Sequence, residues 1–181
     1  MLGAVLVFLP GMGEIQRAYD RLSDSARLRD KVWLLPLHSS LPQADQLKVF
    51  ERAPKYSRKV VLATNVAETS ITIDDCAFVI DSGRAREVEF VAETGLSRLA
   101  DVWVSQAAAR QRRGRAGRVQ KGTCFRLYTT STFAVLDKQQ APEMHRVPLE
   151  SLCLQVLSMG ASLGDTAGDV WGFLSEALDP P

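Results

Sequence analysis

Apolar runs and amphipathic segments alternate along the first half of the chain. Four apolar runs, rich in β-branched residues, are typical of strands buried on both faces of a sheet: residues 2–8, 31–37, 59–64 and 77–81. Two intervening segments carry apolar residues at helical spacing: 13–22 and 40–52. The second of these puts Ala44, Leu47 and Phe50 on one predicted side. This alternation predicts βαβ units, and therefore an α/β fold with a parallel sheet and helices on both faces.

The pattern changes after residue 81. Residues 87–91 alternate polar and apolar side chains, residues 93–95 read as a turn, and residues 99–104 return as a strand. We expect a protruding β-hairpin over 82–104, with an irregular surface loop as the open alternative. The remaining predicted elements are a helix from Gln106 to about Arg113 capped by Ser105, a strand over 122–128, and a short helical extension near the C-terminus.

Composition excludes several classes of protein but leaves nucleic-acid binding open. Hydrophobic residues make up 46%, charged residues 24%, and the net charge is +1, which excludes acidic disordered and collagen-like chains. Three separated cysteines without zinc-site spacing predict reduced thiols and an intracellular location, with cytoplasm and nucleus equally open. The apolar first ten residues lack the features of a signal peptide, and no apolar run is long enough to span a membrane. We therefore expect no membrane partner.

A basic window, Arg110–Lys121 (RQRRGRAGRVQK), is the most unusual segment. It has six basic residues and no acidic one. A solvated face or a localisation patch is the ordinary explanation of such a run. However, the window lies between a predicted helix and a predicted strand, and Arg112, Arg115 and Arg118 would stack on one side of a helical turn. Like charges at that spacing repel unless an anion lies between them, which predicts a phosphate clamp for either a nucleotide or a nucleic-acid backbone.

A second window, residues 63–74 (ATNVAETSITID), follows the third predicted strand. It brings the hydroxyl groups of Thr64, Thr69, Ser70 and Thr72 to the carboxyl edge of the sheet, where open α/β folds bind their ligands. A capped turn with satisfied polar groups is the alternative explanation. The presence of both windows in one chain favours phosphate binding.

The two windows resemble motifs V and VI of superfamily 2 helicases, most closely those of the DEAH-box/RNA helicase A family. Here they read TNVAETSITI and QRRGRAGR, and further segments are similar to the family: FLPG, PLHSSL, VIDSG and PEMHRVPL. The resemblance implies the second RecA-like domain (the helicase C-terminal domain) of an ATP-dependent RNA helicase. It implies a RecA-like domain over residues 1–140, with a linker and the beginning of a winged-helix domain over 141–181.

The resemblance also implies roles for individual residues. Arg115 and Arg118 match the arginine fingers, and Gln111 matches the glutamine that positions the attacking water. Phe50 matches a ring that stacks on adenine (an ordinary core Phe is the alternative), Asp74 an acidic residue near the ribose, and Gly114 a close approach of the backbone. Arg112 is expected to pair with a carboxylate of its own domain. The residues expected at RNA are Thr64, Asn65, Thr69 and Ser70.

Two signatures of the family are missing from this sequence. It has no G-x-x-x-x-G-K-[ST] loop and no Asp-Glu-x-His. Both belong to the first RecA-like domain, so we expect that domain to precede this chain and to supply the ligands of Mg²⁺ beside ATP. Expected partners are RNA and the first RecA-like and winged-helix domains of a longer parent chain.

Two other functions stay open at this point. The chain alone could be a catalytically incomplete module that binds RNA or a partner. A small-molecule α/β enzyme is the third possibility, with His38 as its nearest candidate acid or base. However, His38 has no paired carboxylate in the sequence, and a lone histidine is more often structural.

Overall fold

The computed structural model describes residues 3–69, 71–91, 94–118, 121–158 and 167–177. In chain order the elements are β1 (Ala4–Phe8), α1 (Met12–Ser23), β2 (Val32–Leu37), α2 (Gln43–Leu47), a 3₁₀ helix (Lys48–Phe50), β3 (Arg58–Ala63), α3 (Val66–Thr69), β4 (Cys76–Asp81), β5 (Arg84–Val91), β6 (Leu96–Trp103), α4 (Gln106–Arg113), β7 (Thr123–Arg126), α5 (Thr130–Val135), a second 3₁₀ helix (Glu143–His145), α6 (Glu150–Ser158) and α7 (Ala167–Ser175).

Five strands form one parallel sheet in the order β2-β3-β1-β4-β7. The predicted α/β fold with a parallel sheet is therefore confirmed. In the central register Phe8 lies opposite both Ala63 and Asp81, so β3, β1 and β4 end side by side. The chain runs from β1 to β2 toward one edge of the sheet and from β4 to β7 toward the other, so the strand order reverses between β1 and β4.

Both faces of the sheet are covered, as its continuous apolar strands require. Alternate residues of β1 point to opposite faces because side chains alternate along a strand. Leu6 and Phe8 join a core cluster with Val61 and Val79 on one face. On the other face Ile15 of α1 is fully buried against residues of β3 and β1, as the helical spacing predicts.

The second predicted helix differs from the expectation. The α-helix ends at Leu47 and the chain continues as the 3₁₀ helix. Its tighter turn, three residues instead of 3.6, brings Val49 into the core at 0% exposure and leaves Leu47 and Phe50 each 52% exposed. Ala44, Leu47 and Phe50 are thus exposed, and the prediction of one helix over 40–52 was wrong, since the α-helix covers only Gln43–Leu47.

The expected hairpin is confirmed. β5 and β6 pair with each other in a separate two-stranded sheet. Both strands are longer than the sequence pattern indicated, since β5 begins at Arg84 and β6 begins at Leu96. Thr94 and Gly95 lie in a turn between them, and residue 93 of the predicted turn lies outside the described residues.

The chain divides into two compact units. The first comprises residues 1–86 and 101–140, and the second comprises residues 87–100 and 141–181. Within the second unit Val156, Val170 and Leu174 form a small buried cluster. Also within it, Arg146 Nη1 lies 2.8 Å from Glu87 Oε2. The domain boundary predicted at residue 140 from the resemblance stays a prediction.

Candidate functional site

The basic window begins on α4 and continues into a turn. Ser105 caps the helix as predicted, its Oγ accepting a hydrogen bond of 3.1 Å from the amide of Ala108. The helix ends at Arg113, and Gly117 then adopts a φ of +85°, a left-handed conformation that favours glycine. Arg115 and Arg118 therefore follow the helix, and the predicted stack of three arginines on one helical side was wrong.

Arg112 differs from Arg115 and Arg118 because it is completely buried. Its Nε donates to Glu68 Oε1 at 2.6 Å and its Nη1 to Asp81 Oδ1 at 2.9 Å. The guanidinium carbon lies 4.9 Å from the centre of the Phe8 ring. Asp81 Oδ2 in turn accepts a hydrogen bond from the hydroxyl of Tyr128 at 2.8 Å. Arg112 thus pairs with carboxylates of its own domain, as expected, and this network connects α4 with α3 and the end of β4.

The same network lowers the acidity of the Tyr128 hydroxyl. Burial, followed by the hydrogen bond and the negative charge of Asp81, raises the pKa of Tyr128 above its ordinary value. Tyr128 therefore remains a donor to Asp81 at physiological pH. Asp81 is completely buried and also accepts a hydrogen bond of 2.9 Å from the amide of Gly83.

Arg115 and Arg118 reach the same short loop between α3 and β4. Arg115 Nη1 lies 3.4 Å from the carbonyl oxygen of Ile71, and Arg118 Nη1 lies 2.6 Å from Thr72 Oγ1. Arg115 Nε is buried without a hydrogen-bond partner. Burial, and then the positive charge of Arg118, lower the pKa of Arg115 from its ordinary value. Two guanidiniums close enough to oppose each other's charge favour an anion between them.

The residues expected to meet nucleic acid follow β3. Thr64 is buried at 5% exposure, whereas Asn65 and Thr69 are exposed at the two ends of the segment that forms α3. The carbonyl oxygen of Thr64 accepts from the amide of Ala67 at 3.2 Å, which begins the helix. Ser70 lies outside the described residues. Among the described residues of this segment, the exposed polar side chains are therefore those of Asn65 and Thr69.

A pocket of about 620 Å³ brings together the residues expected at the base and the ribose. Phe50, at the end of the 3₁₀ helix, and Asp74, before β4, both line it. Phe50 is half-exposed, so the alternative interpretation of Phe50 as an ordinary core residue is wrong. Asp74 is exposed and only two residues from Thr72, the hydroxyl partner of Arg118.

The remaining two candidates lie where α4 ends. Gln111 is exposed in the last turn of the helix, and Gly114 is the residue that ends it. Gly114 has an ordinary helical φ of −65°, so no left-handed conformation requires glycine there. A Cβ at Gly114 would lie 3.3 Å from the carbonyl oxygen of Gln111, so an added methyl group would require a shift of a few tenths of an ångström.

Other kinds of site find no support among the described residues. No group of three or more His, Cys, Asp or Glu side chains in that part of the chain could hold a metal ion. His38 Nδ1 lies 2.8 Å from Ser40 Oγ and accepts a hydrogen bond of 3.1 Å from the amide of Ser40. The described helices are all too short or too polar to cross a membrane. The three cysteines are free thiols, and burial raises the pKa of Cys76 to about 11.

Comparison with known proteins identifies the family. Residues 2–120 match the model of the helicase conserved C-terminal domain. The chain belongs to this family. It is 52% identical over 182 residues to the DExH-box ATP-dependent RNA helicase DExH4 (chloroplastic) of Arabidopsis thaliana, covering 99% of this chain and 12% of that protein. It is 46% identical over 180 residues to the ATP-dependent DNA/RNA helicase DHX36 of Homo sapiens, covering 99% of this chain and 17% of that protein.

A solved structure gives the same result for the fold. The DEAH/RHA helicase HrpB of Escherichia coli superposes with a TM-score of 0.80 at 41% identity, over 90% of this chain and 20% of that chain. The helicase C-terminal domain described here thus has the RecA-like α/β fold of DEAH-box helicases, and the predicted family and fold class are both confirmed. The chain spans a fifth or less of the length of these relatives.

Several residues of this helicase C-terminal domain escaped the sequence reasoning. Glu68 and Asp81 hold Arg112, but they lie 44 and 31 residues away from it along the chain. Lys59 is 2% exposed, and a lysine within an apolar β-branched run was a signal that could have marked it. A Cβ at Gly122 would lie 2.7 Å from the carbonyl carbon of Ala116, so the loop after the basic window packs against its turn.

Proposed function

We propose that this chain is the second RecA-like domain of an ATP-dependent RNA helicase and forms half of its ATPase site. The proposal rests on the loop between α3 and β4, where several candidate site residues come together. Arg115 and Arg118 reach residues 71 and 72, and two residues later Asp74 lines the pocket that also contains Phe50. Candidate groups for the phosphates, ribose and base of one nucleotide therefore meet along a single edge of the domain.

Arg115 and Arg118 act at the phosphate end. Negative charge on the transferred γ-phosphoryl group is spread over three oxygens, and a positioned guanidinium stabilises it. The mutual repulsion of these two positive charges, and the unpartnered Nε of Arg115, support such an anion. Gln111, exposed at the end of α4, orients the attacking water.

Phe50 and Asp74 act at the nucleoside end. A half-exposed aromatic ring on a pocket wall offers its face to a base, and a carboxylate accepts hydrogen bonds from ribose hydroxyls. Gly114 allows the backbone at the end of α4 to approach the nucleotide without a side chain in the way.

RNA is held by the segment after β3. Asn65 and Thr69 present exposed polar side chains for the sugar-phosphate backbone, and Thr64 and Ser70 complete the segment. Glu68, within the same segment, is joined to Arg112 of α4 at 2.6 Å. This ion pair supports a direct mechanical connection between the RNA segment and the turn that carries the arginine fingers.

The other half of the ATPase site comes from a first RecA-like domain in the same parent chain. That domain supplies the phosphate loop and the ligands of Mg²⁺, which neutralises phosphate charge when bound. ATP that bridges the two domains closes them, and hydrolysis releases them, so that RNA moves in steps. The winged-helix domain of the parent is the other expected neighbour.

Replacement of an arginine finger tests the proposal. In the full-length helicase that contains this chain, Arg118→Ala should lower kcat for RNA-stimulated ATP hydrolysis by at least ~100-fold, in line with arginine fingers elsewhere. Steady-state phosphate release measures the effect. Arg110→Ala is the matched control, because Arg110 is an exposed arginine on α4 that donates to the side chain of Gln106. The control should retain kcat within about twofold, in keeping with an exposed side chain away from the reacting atoms.

Two results would contradict the assignment. An unchanged kcat in Arg118→Ala would remove Arg118 from the ATPase site. An equal loss in Arg110→Ala would show that the basic window acts through its overall charge and not through a positioned finger.

A further inference from the structure

The buried ammonium of Lys59 joins two segments of the chain. Lys59 lies near the start of β3, and its side chain is 2% exposed. Nζ donates to the carbonyl oxygens of Val49 and Glu51, each at 2.9 Å, and lies 2.8 Å from Asp75 Oδ1. A lysine ammonium has three N–H donors, so each of them has an oxygen within reach.

The first of these segments carries Phe50. The two carbonyl groups that Lys59 binds belong to the residues immediately before and after Phe50. Phe50 itself is 52% exposed, so core packing does not hold its ring. The ammonium of Lys59 instead holds the backbone on both sides of the ring through these two hydrogen bonds.

The second segment carries Asp74. Asp75, the ion-pair partner of Lys59, follows Asp74 directly along the chain. Phe50, Lys59, Asp74 and Asp75 all line the same pocket of about 620 Å³. One charged group therefore holds both the segment expected at the base and the segment expected at the ribose.

We propose that Lys59 is a positioning residue for nucleotide binding, which sets Phe50 and Asp74 at the spacing that a nucleoside requires. This inference rests on the proposed function, since it takes the pocket to be the nucleoside site. A role in stability alone explains the arrangement less well, because a buried charge is costly and an apolar side chain would fill the position without that cost. A hydrogen-bonded charge gives defined geometry instead.

Nucleotide titration of the 181-residue chain tests the role of Lys59. ADP is added while NMR follows the ring signals of Phe50 and the amide of Asp74. Lys59→Met keeps the length of the side chain and removes the ammonium. It should raise the Kd for ADP about 10-fold, within the range for loss of stacking on an aromatic ring. Phe50→Ala should raise Kd similarly, and the double variant should bind more weakly than Phe50→Ala by less than the full effect of Lys59→Met, because part of that effect acts through the ring and the rest through Asp74.

Two further variants control the experiment. Lys48→Met removes an exposed lysine that lies two residues before Phe50 and pairs with Asp45 at 2.8 Å. It should leave Kd within about twofold, because exposed ion pairs contribute little. Asp75→Asn keeps an acceptor for Lys59 on a side chain that is 33% exposed, and should raise Kd about threefold through loss of the charge–charge attraction. If Lys59→Met does not fold, Asp75→Asn decides the question.

The failures of the two proposals are distinguishable. ADP that leaves the signals of Phe50 unshifted in the wild-type chain would overturn the nucleoside site and, with it, the role of Lys59. Wild-type binding with an unchanged Kd in folded Lys59→Met, or in Asp75→Asn where Lys59→Met does not fold, would overturn the role of Lys59 alone. Additive losses in Lys59→Met and Phe50→Ala would also overturn it.

Discussion

Arg112 shows at the scale of one residue how a charged side chain can be structural inside a motif of phosphate-binding arginines. It is completely buried, and its two carboxylate partners, Glu68 and Asp81, are 13% and 0% exposed. Removing one partner from such a group leaves an uncompensated charge away from water. The cost of that buried charge is far larger than the stabilisation that the intact pair provides.

We therefore expect Arg112→Met to lower the free energy of unfolding by about 3–5 kcal/mol. Urea denaturation followed by circular dichroism measures the change. The neighbouring Arg113→Met is the control: Arg113 is exposed, so its loss should change the free energy of unfolding by no more than about 0.5 kcal/mol. A loss below about 1 kcal/mol in Arg112→Met would show that the network contributes little to stability.

Residue types were predictable where chemistry follows from short spacing. The glycine-separated arginines marked a candidate anion site, and Phe50 and Asp74 were matched to positions that the structure brings to one pocket. The partners of Arg112 were not predictable in the same way. Periodicity reports the neighbours of a residue on its own element, whereas Glu68 and Asp81 reach Arg112 through folding of distant segments.

At the scale of elements, parallel strands were the easiest to predict and short helices the hardest. β1, β3 and β4 are buried on both faces, so their sequences are continuous apolar runs. The segment after β2 was misjudged because one buried residue, Val49, decides its orientation. The 3₁₀ turn after α2 and the end of α4 before Arg115 and Arg118 both depend on local backbone geometry. Hydrophobic spacing does not encode that geometry.

The turn after α4 depends on an element that follows it. A Cβ at Gly122 would lie 2.7 Å from the carbonyl carbon of Ala116 and 2.8 Å from its Cβ, so a side chain there must displace the turn that carries Arg115 and Arg118. Displacement of a catalytic group by about 1 Å can cost ~100-fold in rate. Gly122 therefore keeps in place the turn that carries the two proposed arginine fingers.

In the full-length helicase, Gly122→Ala should lower kcat for ATP hydrolysis at least ~10-fold through this displacement. Gly13→Ala is the matched control, since nothing lies within 4 Å of a Cβ at that position of α1. The control should keep its ATPase activity and gain about 0.5–1 kcal/mol in the free energy of unfolding, because alanine favours a helix over glycine. Full activity in Gly122→Ala would show that the turn accommodates the methyl group.

At the scale of the whole chain, a net charge of +1 conceals a polarised sequence. Six basic residues occupy 110–121, whereas residues 147–181 carry five acidic residues and no lysine or arginine. Positive charge without a neighbouring acidic residue is therefore concentrated in the segment that carries the candidate ATPase arginines, Arg115 and Arg118. The chain also holds only the candidate groups of one side of an ATPase site, because the phosphate-binding loop motif is absent from its sequence.

These two properties separate binding from catalysis in the 181-residue chain. We expect it to bind single-stranded RNA weakly and to hydrolyse no ATP above background. Fluorescence anisotropy with a labelled oligonucleotide should show Kd rising about 10-fold between 50 and 200 mM salt, because a few arginine–phosphate contacts release few counterions. The variant Arg113→Met, which removes one exposed charge from the basic window, should reduce the slope of log Kd against log salt by about 0.7 if that arginine contacts a phosphate. Measurable ATP turnover by the purified chain would contradict a site shared between two domains, and salt-independent RNA binding would contradict a phosphate-directed contact.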